Sequence, residues 1–301
     1  MEKQKIVVIC GPTASGKTSL GIKLANKING EIISCDSMQI YKKMDIGTAK
    51  PTIEERKQAI HHLIDFVEPD ERYSVADFKR DATKEIKEIL SRGKMPILVG
   101  GTGLYINSLI YNIEFNEEKN DLEYRKSLEN LSIGEIYNKA LEIDKEATLK
   151  ISKNDRKRLS RILEIYHTTG KSKTELEKES RKKVLYDYRI YVLSMDRELL
   201  YQRIEKRVDM MIEEGLIDEV KNLLGEYKEF PTSFQGLGYK EVVEYLDNKI
   251  TKEEMIEKIK KETRHYAKRQ LTWFKTYKNA KWLDSMNSNN VDIIMEDLGE
   301  Q

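Results

Sequence analysis

The sequence predicts an α/β fold: a parallel sheet core wrapped by helices, with an all-helical domain inserted into it. Three observations predict it. Strand and helix signals alternate over the first 110 residues, strand signals vanish from about Ile113 to Tyr186, and a glycine-rich loop joins the first strand to the first helix. Alternation of this kind is the signature of strands joined by helical crossovers.

The elements follow in order. "KIVVIC" is a short β-branched run and reads as a buried strand, and "KTSLGIKLANKI" reads as a helix. "EIISC" is a second strand, followed by a polar, glycine-containing stretch, "DSMQIYKKMDIGTAKPT". "HHLIDFV" is a short apolar run, "SVADFKRDATKEIKEIL" a strong helix and "MPILVGG" another buried strand. Next, "DLEYRKSLENL", "GEIYNKALEIDKEATLKI" and "DRKRLSRILEIYHTTG" read as amphipathic helices, the last stopped by Gly170. "YDYRIYVLSM" restores a strand, long helices follow, and "AKWLD" is a last short strand. The tail "SMNSNNVDIIMEDLGEQ" predicts nothing definite. The expected organisation is a core in two parts, residues 1–112 and 187–301, around a helical insertion at 113–186.

Between the first strand and helix lies "CGPTASGKTSL", which fits G-x-x-x-x-G-K-[ST] through Gly11, Gly16, Lys17 and Thr18. Such a loop binds anions because its glycines let backbone N–H groups approach and the new helix adds unpaired donors. Candidate phosphate contacts are Gly11, Pro12, Thr13, Ala14, Ser15, Gly16, Lys17 and Thr18; the Thr18 hydroxyl suits Mg²⁺. The core is therefore P-loop NTPase-like.

Composition bounds the rest. Hydrophobic residues are 39% and charged residues 35% of 301, with no apolar stretch of membrane-spanning length. "MEKQKIVVIC" runs straight into a strand, so no secretory leader and a cytoplasmic location are expected. Cys10 and Cys35 are too few for a disulfide framework and read as buried thiols. No oligomer signal appears, and a monomer is the default. The net charge of +1 hides two basic fields: 13 Lys/Arg against 6 Asp/Glu over residues 150–189, and 9 against 1 over 258–281. Together they suggest a polyanionic partner, the alternative being solvated helix faces.

A nucleotide-hydrolysing loop protein normally has an aspartate at the end of an apolar strand and a residue that orients water. Here "MPILV" ends in "GGTGLY" without a carboxylate. The early acid at a strand's C-terminal edge is Asp36, which should face the anion crevice. Three roles are open to it: Mg²⁺ ligand through water, general base, or helix N-cap before "SMQIY". The arrangement suits transfer to an acceptor other than water, by phosphoryl transfer to a small hydroxyl or by displacement of diphosphate.

"GPTASGKT", "DSMQIYKKMDIGTAKP", "HHLID", "YSVADFKRDA", "LVGGTGLY", "NDRKRLSRILEIYHTTGK", "GLGYKE" and "KRQLTWFK" occur here in one order. In that order the chain resembles the tRNA dimethylallyltransferases (isopentenyl-tRNA transferases, the IPP transferase family) from about residue 5 to residue 285. The resemblance implies transfer of a dimethylallyl group from dimethylallyl diphosphate to N6 of the adenosine 3′-adjacent to the anticodon, with release of diphosphate. It implies Asp36 as the base, Lys17 and Thr13 as further catalytic groups, and Mg²⁺ through Thr18. Arg203 and Arg207, four apart on one helix, are implied as diphosphate contacts, with pairing to nearby glutamates the alternative. Neighbouring possibilities are an adenylate isopentenyltransferase, which needs no large basic insertion, and a P-loop small-molecule kinase.

The resemblance also implies contacts to a tRNA anticodon stem-loop. It places them at Asp36, Ser37, Met38 and Gln39; at Lys157, Arg158, Leu159, Ser160 and Arg161; and at Gln235, Gly236, Leu237, Gly238, Tyr239 and Lys240. Lys268, Arg269, Gln270, Trp273 and Lys275 follow, with Thr102 and Arg125 as additional candidates. Cations interleaved with aromatics, as in "RHYAKRQLTWFKTYK", suit a reader of unstacked bases; Trp273 and Phe274 could equally be core anchors. Two departures stand out: Lys157 where relatives commonly have glutamine, and Gln235 where some have arginine. His61 and His62 read as packing or loop residues, and His167 and His265 form no ligand set.

Overall fold

A computed structural model describes residues 3–115, 121–181 and 183–299. The chain divides into two compact units, one running to Ile106 and resuming at Tyr186, the other Asn107–Leu185.

The first unit is built on six strands: β1 (Lys5–Cys10), β2 (Gly30–Ser34), β3 (His61–His62), β4 (Met95–Gly100), β5 (Asp187–Ser194) and β6 (Lys281–Asp284). Their order is β3-β2-β4-β1-β5-β6, and every pairing is parallel. Ile6, Val7, Val8 and Ile9 are fully buried because both faces of a parallel sheet are covered by helices. The register pairs Cys10 with Gly100 and Ser34 with Val99. The ends of β1, β4 and β2 therefore share one edge of the sheet.

Helices α1 (Lys17–Lys27), α2 (Ile53–Gln58), α3 (Val75–Ser91) and α4 (Gly103–Ile110) belong to the first half of the chain. In the second unit come α5 (Leu122–Glu129), α6 (Ile133–Ile143), α7 (Lys145–Thr148), α8 (Arg156–Thr169) and α9 (Lys173–Arg181). After β5 follow α10 (Arg197–Glu213), α11 (Leu216–Glu226), α12 (Tyr239–Leu246), α13 (Lys252–Phe274) and α14 (Asn290–Leu298). The second unit has its own core of Leu128, Ile136, Ala140, Leu159, Ile162 and Leu163. Gly170 ends α8 at φ 68°, as the sequence suggested.

Several elements go beyond the sequence reading. Of the apolar run "HHLIDFV" only His61 and His62 form a strand, paired with Ile32 and Ile33. Leu63 and Asp65 then turn left-handed, and Asp65 takes hydrogen bonds from Lys50 (2.8 Å) and Arg56 (3.2 Å), which bend the chain off the sheet. No helix follows Asp36. The uninformative tail forms α14, whose Ile294 and Leu298 join the core beside β1 and β5, with Lys5 Nζ donating to Leu298 O at 2.7 Å. The unassigned α2 opens on a reciprocal cap in which Thr52 and Glu55 satisfy each other's backbone N–H, a Thr-x-x-Glu pattern readable in "TIEE".

At the opposite end of β2, Glu31 is 2% exposed and takes Arg92 Nη2 at 2.7 Å, His62 Nε2 at 2.7 Å and Lys94 Nζ at 2.8 Å. Burial alone would raise its carboxyl, but hydrogen bonds from Lys94, His62 and Arg92 override that and hold it at about 2. The depressed value makes its contribution to stability full above the ordinary 4.5 and lost as pH falls toward 2. Glu31→Gln is expected to cost about 3 kcal/mol in denaturant melts at pH 7, and the gap from wild type should close between pH 4.5 and 2.

Candidate active site and nucleic-acid interface

The loop after β1 turns into α1 through Gly16, left-handed at φ 86°, and no side chain caps the helix. The first-turn N–H groups of α1 thus remain available to an anion. Ser15 Oγ is buried beside them without a partner among the described residues. Lys17 lies back along the loop, donating to Pro12 O at 2.7 Å. Burial, and then the Arg207 guanidinium, pull its ammonium down to about 8, offset in part by Asp36. A cation so destabilised is one that a bound anion would restore.

Opposite, β2 runs into Cys35 and Asp36. The approach of this turn to β4 depends on Gly100, where a Cβ would fall 2.2 Å from Cys35 O. Thr102 N donates to Cys35 O at 3.1 Å, and Thr102 Oγ1 accepts from Ser37 N at 3.1 Å. Asp36 Oδ1 accepts from Met38 N at 2.9 Å and Gln39 N at 3.3 Å. The capping role is therefore real, but it closes a turn and not a helix. Asp36 Oδ2 accepts no hydrogen bond among the described residues, and Asp36 lines the crevice.

Two cavities meet at this carboxylate. One, of about 250 Å³, joins the loop's polar wall (Gly16, Lys17, Thr18) to an apolar wall of Ile32, Ile64 and Val99. The other, of about 320 Å³, is flanked by Met38, Met211 and Arg269 and opens past residues 235–240. Thr13, Asp36, Thr48, Ala49, Arg207 and Tyr266 line both.

Several expected contacts move. Gln270, expected at an RNA surface, is 5% exposed and braces the interior, with Oε1 accepting from Thr13 N (2.8 Å) and Nε2 donating to Gly101 O (2.9 Å). One amide supplies both an acceptor and a donor, which suits two backbone groups on adjacent loops. Leu159 and Tyr239 are also wholly buried, so neither offers a side chain to a surface ligand. Arg207 turns its guanidinium to Thr13 Oγ1 at 3.5 Å, not to a glutamate, and burial followed by Arg203 lowers its pKa. Arg203, one turn earlier, points to Met286 Sδ (3.8 Å) and not into either cavity.

Of the surface cations, Lys268, Arg269 and Lys275 on and after α13 are exposed, as are Gln235 and Lys240. Phe274 is fully buried and Trp273 is 38% exposed, resting on Gly103. In the second unit Arg125 forks onto Glu164 (2.9 and 3.0 Å), which also takes Arg161. Lys157 and Arg158 are exposed there, and Ser160 is half-buried. His167 stacks on Tyr124 and reaches Asp121 Oδ2 at 3.0 Å. Among the described residues no cluster of three or more His, Cys, Asp or Glu could hold a metal.

Sequence reasoning gave Tyr266 no place between the two cavities. It lines both cavities, and burial, then Asp36, raise the pKa of its hydroxyl. The available signal was its spacing of four from Gln270, which puts both on one face of α13.

A glycine loop at a parallel sheet edge, facing a carboxylate across it, defines a P-loop α/β protein. A family model described as "IPP transferase" matches residues 39–277. A tRNA dimethylallyltransferase of Acetivibrio thermocellus is 49% identical over 299 residues, 97% of this chain and 96% of that one. One of Caldanaerobacter subterraneus subsp. tengcongensis is 50% identical over 304 residues, covering 98% and 96%. Among solved structures, the full-length tRNA isopentenylpyrophosphate transferase of Bacillus halodurans superposes with a TM-score of 0.75 at 43% identity, over 99% of this chain and 96% of that one. A eukaryotic dimethylallyltransferase caught acting on tRNA gives 0.83 at 34% identity, over 98% and 77%. The chain belongs to the IPP transferase family. No helix among the described residues is long and apolar enough to cross a membrane.

Proposed function

We propose that this protein transfers a dimethylallyl group from dimethylallyl diphosphate to N6 of the adenosine 3′-adjacent to the anticodon of a tRNA, releasing diphosphate. The observation that carries this reading is that Asp36 lines two cavities, one with a phosphate-loop wall and an apolar wall, the other with Lys240 and Arg269 in its lining. The similar tRNA dimethylallyltransferases and the eukaryotic structural neighbour, which acts on tRNA, support it. The protein acts as a monomer in the cytoplasm on the anticodon stem-loop.

The diphosphate lies on the amides of residues 11–18, against Lys17 and Arg207. The adenine, flipped out of its stack, enters the second cavity. The N6 lone pair forms a bond to C1 of the donor while the C1–O bond breaks. The electron pair of that bond leaves with the diphosphate, whose charge the amides, Lys17 and Arg207 stabilise. The N6 proton passes to Asp36 Oδ2, the one carboxylate oxygen not spent on the turn. Thr13 and Gln270 hold the loop in place.

The donor set suits Mg²⁺, which takes few protein ligands and leans on phosphate oxygens. The Thr18 hydroxyl would bind it directly and Asp36 through water. When bound, Mg²⁺ neutralises charge on the departing diphosphate.

Mass spectrometry of tRNA nucleosides after reaction with dimethylallyl diphosphate tests the reading. N6-dimethylallyladenosine is expected; its absence with folded protein would overturn the assignment. Stem-loop affinity should fall steeply with salt as counterions are released. Arg158→Ala is expected to lower the slope of log K against log salt by about 1 without changing which base is modified.

A further inference from the structure

Thr48 and Ala49 line both cavities and Gly47 lines the RNA-side one; together with Asp45 and Ile46 just before them they form one irregular wall segment, residues 45–49. This wall is held from behind by one side chain remote from the chemistry. Glu219 of α11 accepts through Oε2 from Asp45 N and Ile46 N, each at 2.8 Å, and through Oε1 from Gly47 N at 3.1 Å. The same Oε1 takes the Tyr239 hydroxyl at 2.7 Å. Tyr239 opens α12 and is a buried member of the segment 235–240, which lines only the RNA-side cavity. Its ring lies so close over Gly47 that a Cβ there would fall 2.6 Å from it.

One carboxylate thus ties together two pieces of chain with different duties. A shift of residues 235–240 displaces Tyr239, and through the shared Oε1 and the ring contact it displaces Gly47 and the wall beyond. Inward from that wall, Gln39 Nε2 donates to Thr48 O (3.2 Å) and Ala49 O (3.1 Å). Gln39 N in turn rests on Asp36 Oδ1. The connection therefore runs from the RNA-side rim to the carboxylate where transfer occurs.

We propose that Glu219 is a positioning residue that couples the two substrates: RNA seated on residues 235–240 sets the wall 45–49 and thereby tightens the donor cavity. This inference rests on the proposed transferase reading. Coupling of this kind is reciprocal, so the donor tightens RNA binding by the same factor.

The test is calorimetric binding of dimethylallyl thiodiphosphate, whose C–S bond resists displacement, with and without an anticodon stem-loop RNA. Wild type is expected to bind it about tenfold tighter with RNA present. Glu219→Gln, with one acceptor oxygen in place of two, and Tyr239→Phe, which keeps the ring and loses only the hydroxyl, should both bring that ratio close to one. Pyrophosphate affinity without RNA should stay unchanged in both. A ratio of one in wild type, or a full ratio in either folded variant, would overturn the proposal. So would weakened pyrophosphate binding in step with lost thermal stability, which marks a purely structural clamp. Tyr239→Phe carries the test if Glu219→Gln does not fold. Product formation by wild type, followed in parallel, separates failure of this inference from failure of the transferase reading.

Discussion

Asp36→Asn is expected to lower kcat by about a thousandfold while leaving tRNA affinity and thermal stability near wild type. The choice of asparagine matters because Asp36 has two duties on two oxygens. Oδ1 closes the turn by accepting from Met38 N and Gln39 N, and an amide oxygen does this almost equally well. Oδ2 is the atom an amide nitrogen replaces, and an NH₂ group cannot accept the N6 proton. Asp36→Ala should lose the same rate and, in addition, about 1 kcal/mol of stability from the turn. Steady-state kinetics with thermal melts on both variants checks this. An active Asp36→Asn enzyme would show that the carboxylate is structural.

Lys17→Met is expected to lower kcat/KM for the diphosphate donor by about 10² to 10³. Its buried ammonium sits at about 8 in the free protein, below the ordinary 10.5. The charged form is therefore penalised by folding below pH 8, and the penalty fades as pH rises from 8 to 10.5. A bound diphosphate relieves that penalty by pairing the charge. Wild-type affinity for the donor should accordingly weaken as pH rises through about 8, and the Lys17→Met variant should lack this inflection. Titration of pyrophosphate binding between pH 7 and 9.5 reads it, and an identical profile in both proteins would refute the assignment.

The parallel core, the anion loop and the helical character of residues 122–169 were legible because each rests on local pattern: β-branched runs, spaced glycines, or apolar residues at helical period. Asp36 was legible as a position, since a strand's C-terminal end faces the crevice wherever the sheet is parallel. Its division of labour was not, because which oxygen a turn consumes depends on how Met38 and Gln39 fold back.

The same distinction separates the candidate contacts. The family resemblance marked Gln270 and Tyr239 for RNA contact, yet both are buried, one spanning Thr13 and Gly101, the other bound to Glu219. Arg203 and Arg207 share a face in sequence, but only Arg207 reaches the loop, at Thr13. Helical spacing states which side chains share a stripe, while the neighbouring elements determine which part of that stripe is covered. The order of charged and apolar residues by itself marked the strands, the phosphate loop and the basic segments, each of which is written in a pattern of residues close in the chain. Only the tertiary structure decided the two cavities, the free oxygen of Asp36 and the Glu219 clamp: the Asp36 turn depends on how Met38 and Gln39 fold back, and the bonds from residues 45–47 to Glu219 join groups more than a hundred residues apart that meet only after the core has formed.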